Sequence, residues 1–136
     1  MSMARILIVD DSPSQLMGIR RIVEKLGHEA LTAEDGAAGV EAAKRELPDL
    51  ILMDVVMPNL NGFQATRSIT REPSTKHIPI VLVTTKDQDT DRVWGMRQGA
   101  KAYITKPFSE SELADMIQQM LGGDAPSAAT EPEGEE

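Results

Sequence analysis

Five short extended-type runs, each followed by an amphipathic helical stripe, constrain this chain more than any other feature. The runs are Arg5–Val9, Glu29–Ala33, the segment leading to Asp54, Ile78–Val83 and Lys101–Ile104. Apolar runs of this length, bounded by turn residues, suit strands buried on both faces, whereas helices need longer periodic segments. The stripes between them have helical spacing. Leu16, Ile19, Val23 and Leu26 form the first, stopped by Gly27; Val40, Ala43 and Leu47 form the second, stopped by Pro48. Helix 3 is expected over about 63–71, helix 4 over about 88–98, and helix 5 carries Leu113, Met116, Ile117, Met120 and Leu121 before Gly122 and Gly123. Strands alternating with helices of this size imply right-handed crossovers and a parallel sheet covered on both faces, the doubly wound α/β class.

Two helix starts have a capping-box pattern, Ser12-Pro13-Ser14-Gln15 and Ser109-Glu110-Ser111-Glu112. Helix 4 contains Gly95, which costs roughly 1 kcal/mol against alanine, so it is expected to be the least secure of the five.

In open α/β sheets, ligands sit outside the carboxyl ends of the strands. Asp10 and Asp11 follow the first run, Asp54 the third, Thr84 the fourth, and Lys106 the fifth. The uncommon polar residues therefore fall at one rim. Taken singly, each has a plainer explanation: Asp10-Asp11 as a helix cap, Lys106 as a solvated loop lysine, Thr84 as a strand-end residue, Asp54 as an exposed turn residue. Their coincidence at one rim favours a shared site.

The chemistry of that rim is restrictive. Three converging carboxylates cannot all be ionised without a cation among them. Oxygen ligands without His or Cys favour a hard ion, and a site with few carboxylates and room for water and phosphate oxygens suits Mg2+. Lys106 is a point charge suited to phosphate, and Thr84 supplies a short hydroxyl. Such a set is built around a phosphoryl group on one reachable carboxylate, with Asp54 as nucleophile.

Composition narrows the classes. The chain has 136 residues, 40% of them apolar, enough for one domain and one core. It has no cysteine, hence no disulfide and no thiolate metal site, which agrees with a reducing cytosol. No apolar run approaches the roughly 20 residues needed to span a bilayer. The net charge is −8, but Asp124, Glu131, Glu133, Glu135 and Glu136 lie in a terminal stretch without Lys or Arg, leaving 14 cations against 17 acids in residues 1–123, a net −3. This argues against sequence-independent nucleic-acid binding. Residues 1–123 are expected to form one domain and 124–136 a disordered acidic tail.

These motifs together resemble the response-regulator receiver domain of the chemotaxis CheY type, over about residues 4–122. They are the apolar strand leading into Asp10-Asp11, then Asp54-x-x-Met57-Pro58-x-x-x-Gly62, Thr84, Gly99-Ala100, Tyr103, and Lys106-Pro107-Phe108. The resemblance implies a flavodoxin-like fold with strand order 2-1-3-4-5. It also implies that Asp54 accepts phosphate from a CheA-type histidine kinase, and that Asp11, Asp54 and the Val56 carbonyl ligate Mg2+, with Asp10 acting directly or through water. Lys106 and Thr84 would bind the phosphoryl oxygens, Lys106-Pro107 would be a cis bond, and Tyr103 would be an aromatic switch turning inward as Thr84 moves. Longer segments, Asp54–Arg67 and Val83–Gly95, resemble regulators of type IV pilus twitching motility.

Some positions are particular to this chain. Thr85 stands where many receivers have a smaller residue, and an apolar Val56 offers no side chain to orient an attacking water. Arg92, Trp94 and Arg97 fall on or near helix 4, part of the output face implied by the resemblance. An exposed Trp94 would be a binding anchor, and a buried one a core filler. The resulting expectation is a cytoplasmic, monomeric, phosphorylation-dependent switch that binds a protein partner through the helix 4–strand 5–helix 5 face, or acts as a phosphate sink. Two other readings are a phosphatase on a related fold and a non-phosphorylated interaction module. The phosphatase needs a second Asp two residues past the nucleophile, where this chain has Val56 after Asp54 and Ser12 after Asp10. The intact set Asp10, Asp11, Asp54, Thr84 and Lys106 argues against the module.

Overall fold

The computed structural model describes residues 3–86 and 88–122. The expected acidic tail over 124–136 lies outside the described residues. The elements alternate strictly: β1 (Arg5–Val9), α1 (Pro13–Lys25), β2 (Glu29–Ala33), α2 (Gly36–Glu46), β3 (Leu50–Met53), α3 (Gly62–Arg71), β4 (Ile80–Thr84), α4 (Asp89–Arg97), β5 (Ala102–Thr105) and α5 (Glu110–Gly122). The five strands form one parallel sheet in the order β2-β1-β3-β4-β5. Both the fold class and the strand order agree with the expectation.

Alternation along each central strand divides the core in two. Leu7, Val9, Ile51, Met53, Ile80 and Leu82 pack with Val40 and Ala43 of α2 and Ala65 and Ile69 of α3. Ile6, Ile8, Leu50, Leu52, Val81 and Val83 point the other way, onto Leu16, Ile19 and Val23 of α1 and Leu113 and Ile117 of α5. The side-chain period of two places successive residues on opposite faces, and both faces are covered, so these strands read as unbroken apolar runs. Burying each such side chain contributes roughly 1.5–3 kcal/mol. In the α5 stripe Leu113 and Ile117 are buried, while Met116, Met120 and Leu121 cover the edge of the core.

The helix ends follow their local chemistry with two exceptions. The capping box at α5 is formed: the Glu112 N–H donates to Ser109 Oγ at 3.0 Å and the Ser109 N–H to Glu112 Oε1 at 2.7 Å. A third box, not anticipated, closes α3 between Asn61 and Gln64. The box expected at α1 is not formed. Ser12 makes no side-chain cap bond; its N–H donates to Asp10 Oδ1 at 2.9 Å, and Gln15 turns to Lys106. The second exception is Leu47, expected on the apolar face of α2. It instead ends the helix in the left-handed region (φ 46°) and is half exposed. Pro48 disfavours the right-handed α conformation for the residue before it, so the helix does not continue through Leu47.

Strand β4 starts at Ile80, later than the expected Ile78, because Ile78 closes a turn onto Thr75 before Pro79. Helix α4 buries a single residue, Gly95. A Cβ there would stand 2.5 Å from Leu82 Cδ1 and 3.4 Å from the Tyr103 ring. The missing side chain therefore lets α4 approach the sheet, which explains a glycine that helix propensity alone disfavours.

Candidate functional site

The sheet register brings the expected residues together. Val9 pairs with Met53, so Asp10 and Asp54 leave adjacent strands at the same level. Their backbones stay in the ladder: the Asp54 N–H donates to Val9 O at 2.9 Å and the Asp10 N–H to Ala33 O at 3.1 Å. Thr84 pairs with Thr105, and the Lys106 N–H donates to Thr84 O at 2.7 Å. Strand pairing, not loop conformation, sets the spacing of the site. Lys106-Pro107 is cis, as expected.

Asp10, Asp11 and Asp54 each offer a carboxylate oxygen, all within 4.8 Å of one another. Asp10 is 2% and Asp54 7% exposed, while Asp11 faces solvent. Lys106 Nζ donates to Asp10 Oδ2 at 3.1 Å, lies 3.7 Å from Asp54 Oδ1, and also donates to Gln15 Oε1. One lysine thus faces three carboxylates, a charge deficit that a divalent cation offsets. The donor set is all oxygen, so the residues fit Mg2+.

The titration of Asp54 is governed by a second effect, desolvation. Burial pushes its carboxyl from 3.8 up to about 6. Lys106 pulls it down and Asp10 pushes it up; the Val55 N–H, donating to Asp54 Oδ1 at 2.9 Å, lowers it, and Asp11 raises it. Desolvation dominates, which is expected of a carboxylate that is only 7% exposed at the end of a buried strand.

Thr84 is fully buried, and its hydroxyl accepts the Lys86 N–H at 3.2 Å. The Lys86 carbonyl in turn accepts the Tyr103 hydroxyl at 2.8 Å. Lys86 therefore joins the rim hydroxyl to the aromatic ring through its own peptide groups. Tyr103 is 9% exposed, already inward, and the Arg92 guanidinium stands 5.1 Å from its ring centroid. Val56 and Trp94 are the opposite case, 54% and 48% exposed. Trp94 is thus a surface residue of α4, which answers the question left open by its sequence context. Thr85 is exposed and lines, with Gln15, Ile19, Ile22, Pro107 and Phe108, a mainly apolar cleft of about 480 Å³ that opens beside Lys106.

Two contributors were not foreseen. The Ser12–Gln15 spacing points to a cap, and only the position of Gln15 on the first turn of α1, whose start points at the rim, hints at its contact with Lys106. The spacing places Arg92 on or near helix 4 in the output face, but nothing in it marks the Tyr103 ring that the guanidinium covers.

Among the described residues, Lys106 is the one cation within 4 Å of Asp10 and Asp54. Replacing it (Lys106→Met) leaves Asp10 buried without its partner. The loss is expected to be about 2 kcal/mol in the metal-free protein, below that for a fully enclosed pair. Urea unfolding in EDTA measures it, and added Mg2+ should recover part of the loss.

The chain belongs to the response regulator receiver domain family, whose profile matches residues 6–118. It is 55% identical over 121 residues to protein PilH of Pseudomonas aeruginosa, an alignment that spans 89% of this chain and 100% of PilH. It is 38% identical to the response regulator PleD of Caulobacter vibrioides over 86% of this chain, but only 26% of that longer protein. Among solved structures, the chemotaxis protein CheY4 of Vibrio cholerae superposes with a TM-score of 0.84 at 31% identity, covering 88% of this chain and all of CheY4. The receiver domain of a sensor histidine kinase from Pseudomonas aeruginosa has a magnesium ion coordinated in its active-site cleft. It superposes with a TM-score of 0.82 at 32% identity, covering 89% of this chain and 99% of that domain. No helix among the described residues is long and apolar enough to cross a membrane.

Proposed function

We propose that this receiver domain is a phosphorylatable switch in which Asp54 accepts a phosphoryl group from the phosphohistidine of a CheA-type kinase in a cytoplasmic chemosensory system. The observation that carries this reading is a buried Asp54 with Lys106 at 3.7 Å and two further carboxylates within 4.8 Å. Asp10, Asp11, Asp54 and the Val56 carbonyl would hold Mg2+; the cluster of three carboxylates and the solved relative with magnesium in its active-site cleft support a metal at this place. The ion supplies charge neutralisation for the phosphoryl oxygens.

The transfer breaks the phosphorus–nitrogen bond of the donor imidazole and forms a bond from phosphorus to an Asp54 carboxylate oxygen. Burial removes water that would otherwise solvate the carboxylate and the transferring group. Lys106 Nζ, 3.7 Å from Asp54 Oδ1, would face the new charge. The Thr84 hydroxyl needs an acceptor for its proton, and a phosphoryl oxygen on Asp54 provides one. Because Lys86 is tied to both Thr84 and Tyr103, a shift of Thr84 reaches the aromatic ring and α4 through one residue. Such a charge-triggered change biases two packings of one face.

Residues 1–123 would be the receiver, with 124–136 an acidic tail. The domain would act as a monomer through binding by the α4–β5–α5 face, where Trp94 is exposed, or as a phosphate sink, and would turn over no external substrate. The likeness to PilH supports control of type IV pilus twitching motility or chemotaxis. The test is direct: with acetyl phosphate and Mg2+ the protein is expected to gain one phosphoryl group by intact mass, and none in EDTA. No gain under either condition, nor from the chemosensory kinases of its own organism, would overturn the proposal.

A further inference from the structure

Lys44 in the last turn of α2 and Arg67 and Arg71 on α3 line a groove of about 420 Å³ with Val40, Ser68 and Glu72. All three cations are exposed, and none forms an ion pair with a described residue. Arg21, Lys76, Arg92, Arg97 and Lys101 likewise form none, so what sets this groove apart is that it gathers three such cations. Three unpaired cations against Glu72 make the groove a positive patch on an acidic protein.

We propose that this groove is the docking site of the chain's own acidic segment, residues 124–136. That segment carries Asp124, Glu131, Glu133, Glu135 and Glu136 and no Lys or Arg. The route is short. Leu121 and Gly122, at the end of α5, line one cavity with Asp49 and Pro79. These two residues lie in the connections that follow α2 and α3 and lead into β3 and β4. The segment therefore departs from the pole of the sheet where α2 and α3 end, the pole that carries Lys44 and Arg71. The nine residues from Gly123 to Glu131 reach roughly 30 Å when extended, about the width of a domain.

Charge favours this groove over other surfaces. Residues 1–123 carry a net −3, so the average surface repels the segment and only a local excess of cations attracts it. Exposed ion pairs are individually weak. Tethering compensates, because a segment joined to the same chain meets the groove at an effective concentration in the mM range. Docked there, the segment shields the α2–α3 face from acidic segments of other molecules and leaves α4 open.

The chain has no cysteine, so Thr130→Cys in the full chain gives one site for a nitroxide label. In isotope-labelled protein at low salt, the amide signals of Lys44, Ser68 and Arg71 are expected to lose most of their intensity. They should regain it at about 1 M salt, where the screening length falls to about 3 Å. They should also regain it in the Arg67→Glu/Arg71→Glu double variant, whose remaining spectrum reports that it is folded. Losses that are absent, spread evenly over the surface or centred on another face would overturn the proposal. So would losses seen only when label and isotope are on different copies, which would assign the contact to a second molecule.

Discussion

Replacing Asp54 by Asn is expected to abolish phosphoryl transfer and, at the same time, to make the metal-free protein more stable. The loss of labelling follows from removing the only carboxylate in the site that is both buried at the end of β3 and within reach of Lys106. The gain in stability follows from the cost of ionising Asp54. Its carboxyl titrates at about 6 in the fold against an ordinary 3.8, because burial disfavours the anion. The native state therefore holds this proton more tightly than the unfolded chain. The stability this contributes is complete below pH 3.8 and is lost as pH rises through about 6. Above that, the wild type bears a penalty of up to about 3 kcal/mol that the neutral amide avoids. In EDTA, urea unfolding should place the variant above the wild type at pH 8 and bring the two together near pH 4. Mg2+ should narrow the difference at pH 8 by stabilising the wild type, since the ion binds the native carboxylates. Equal stability at pH 8 without metal would mean that the ionised Asp54 is already compensated, and would remove the argument for a cation.

The sheet was legible because its strands are buried on both faces. Unbroken runs such as Ile6–Val9 and Leu50–Met53 have few other uses, and the polar residue ending each run falls at the rim by geometry alone. That is why Asp10, Asp54, Thr84 and Lys106 could be named together. The order of the strands was not written in the runs themselves; it came from the resemblance of the motifs, and the ladders bear it out. The errors are of one kind. Ser12 and Gln15 have the spacing of a capping box, but that pattern records only what the local backbone can do. Lys106, 91 residues away, competes for Gln15, and Asp10 takes the Ser12 N–H. Leu47 has the spacing of a core residue, but Pro48 stops the helix before it. Local periodicity misleads where a distant partner or the next residue sets the outcome. The chain carries one more such tension: Thr66, buried in α3, is the one side chain among the described residues whose buried oxygen lacks a hydrogen-bond partner, and nothing in its spacing distinguishes it from an apolar core position.

Glycine is where sequence and structure differ most sharply, and Gly62→Ala is expected to be among the most damaging single changes in the chain. From its sequence context Gly62 is a turn residue. In the fold it starts α3 against the backbone that carries Asp54. A Cβ there would stand 2.1 Å from Asp54 O, 2.8 Å from Asp54 C and 2.7 Å from Val55 Cα. Those atoms have little room to give way, because the Asp54 N–H is bonded to Val9 O and the Gly62 N–H to Val55 O, each at 2.9 Å. The methyl group must displace either α3 or the end of β3. Overpacking of this kind costs about 3 kcal/mol, and more where the neighbour is backbone. Any relief that moves β3 also turns the Asp54 carboxylate, so the labelling rate should fall even in molecules that stay folded. Gly18→Ala is the contrasting change: Gly18 lies in the middle of α1 with nothing within 4 Å of the added carbon. There the same methyl group should stabilise by about 0.5–1 kcal/mol through helix propensity alone. Urea unfolding of the two variants beside the wild type gives both numbers. Opposite signs are expected, and a Gly62→Ala protein as stable as the wild type would show that the loop after β3 yields, and that Asp54 is held less firmly than its ladder bonds imply.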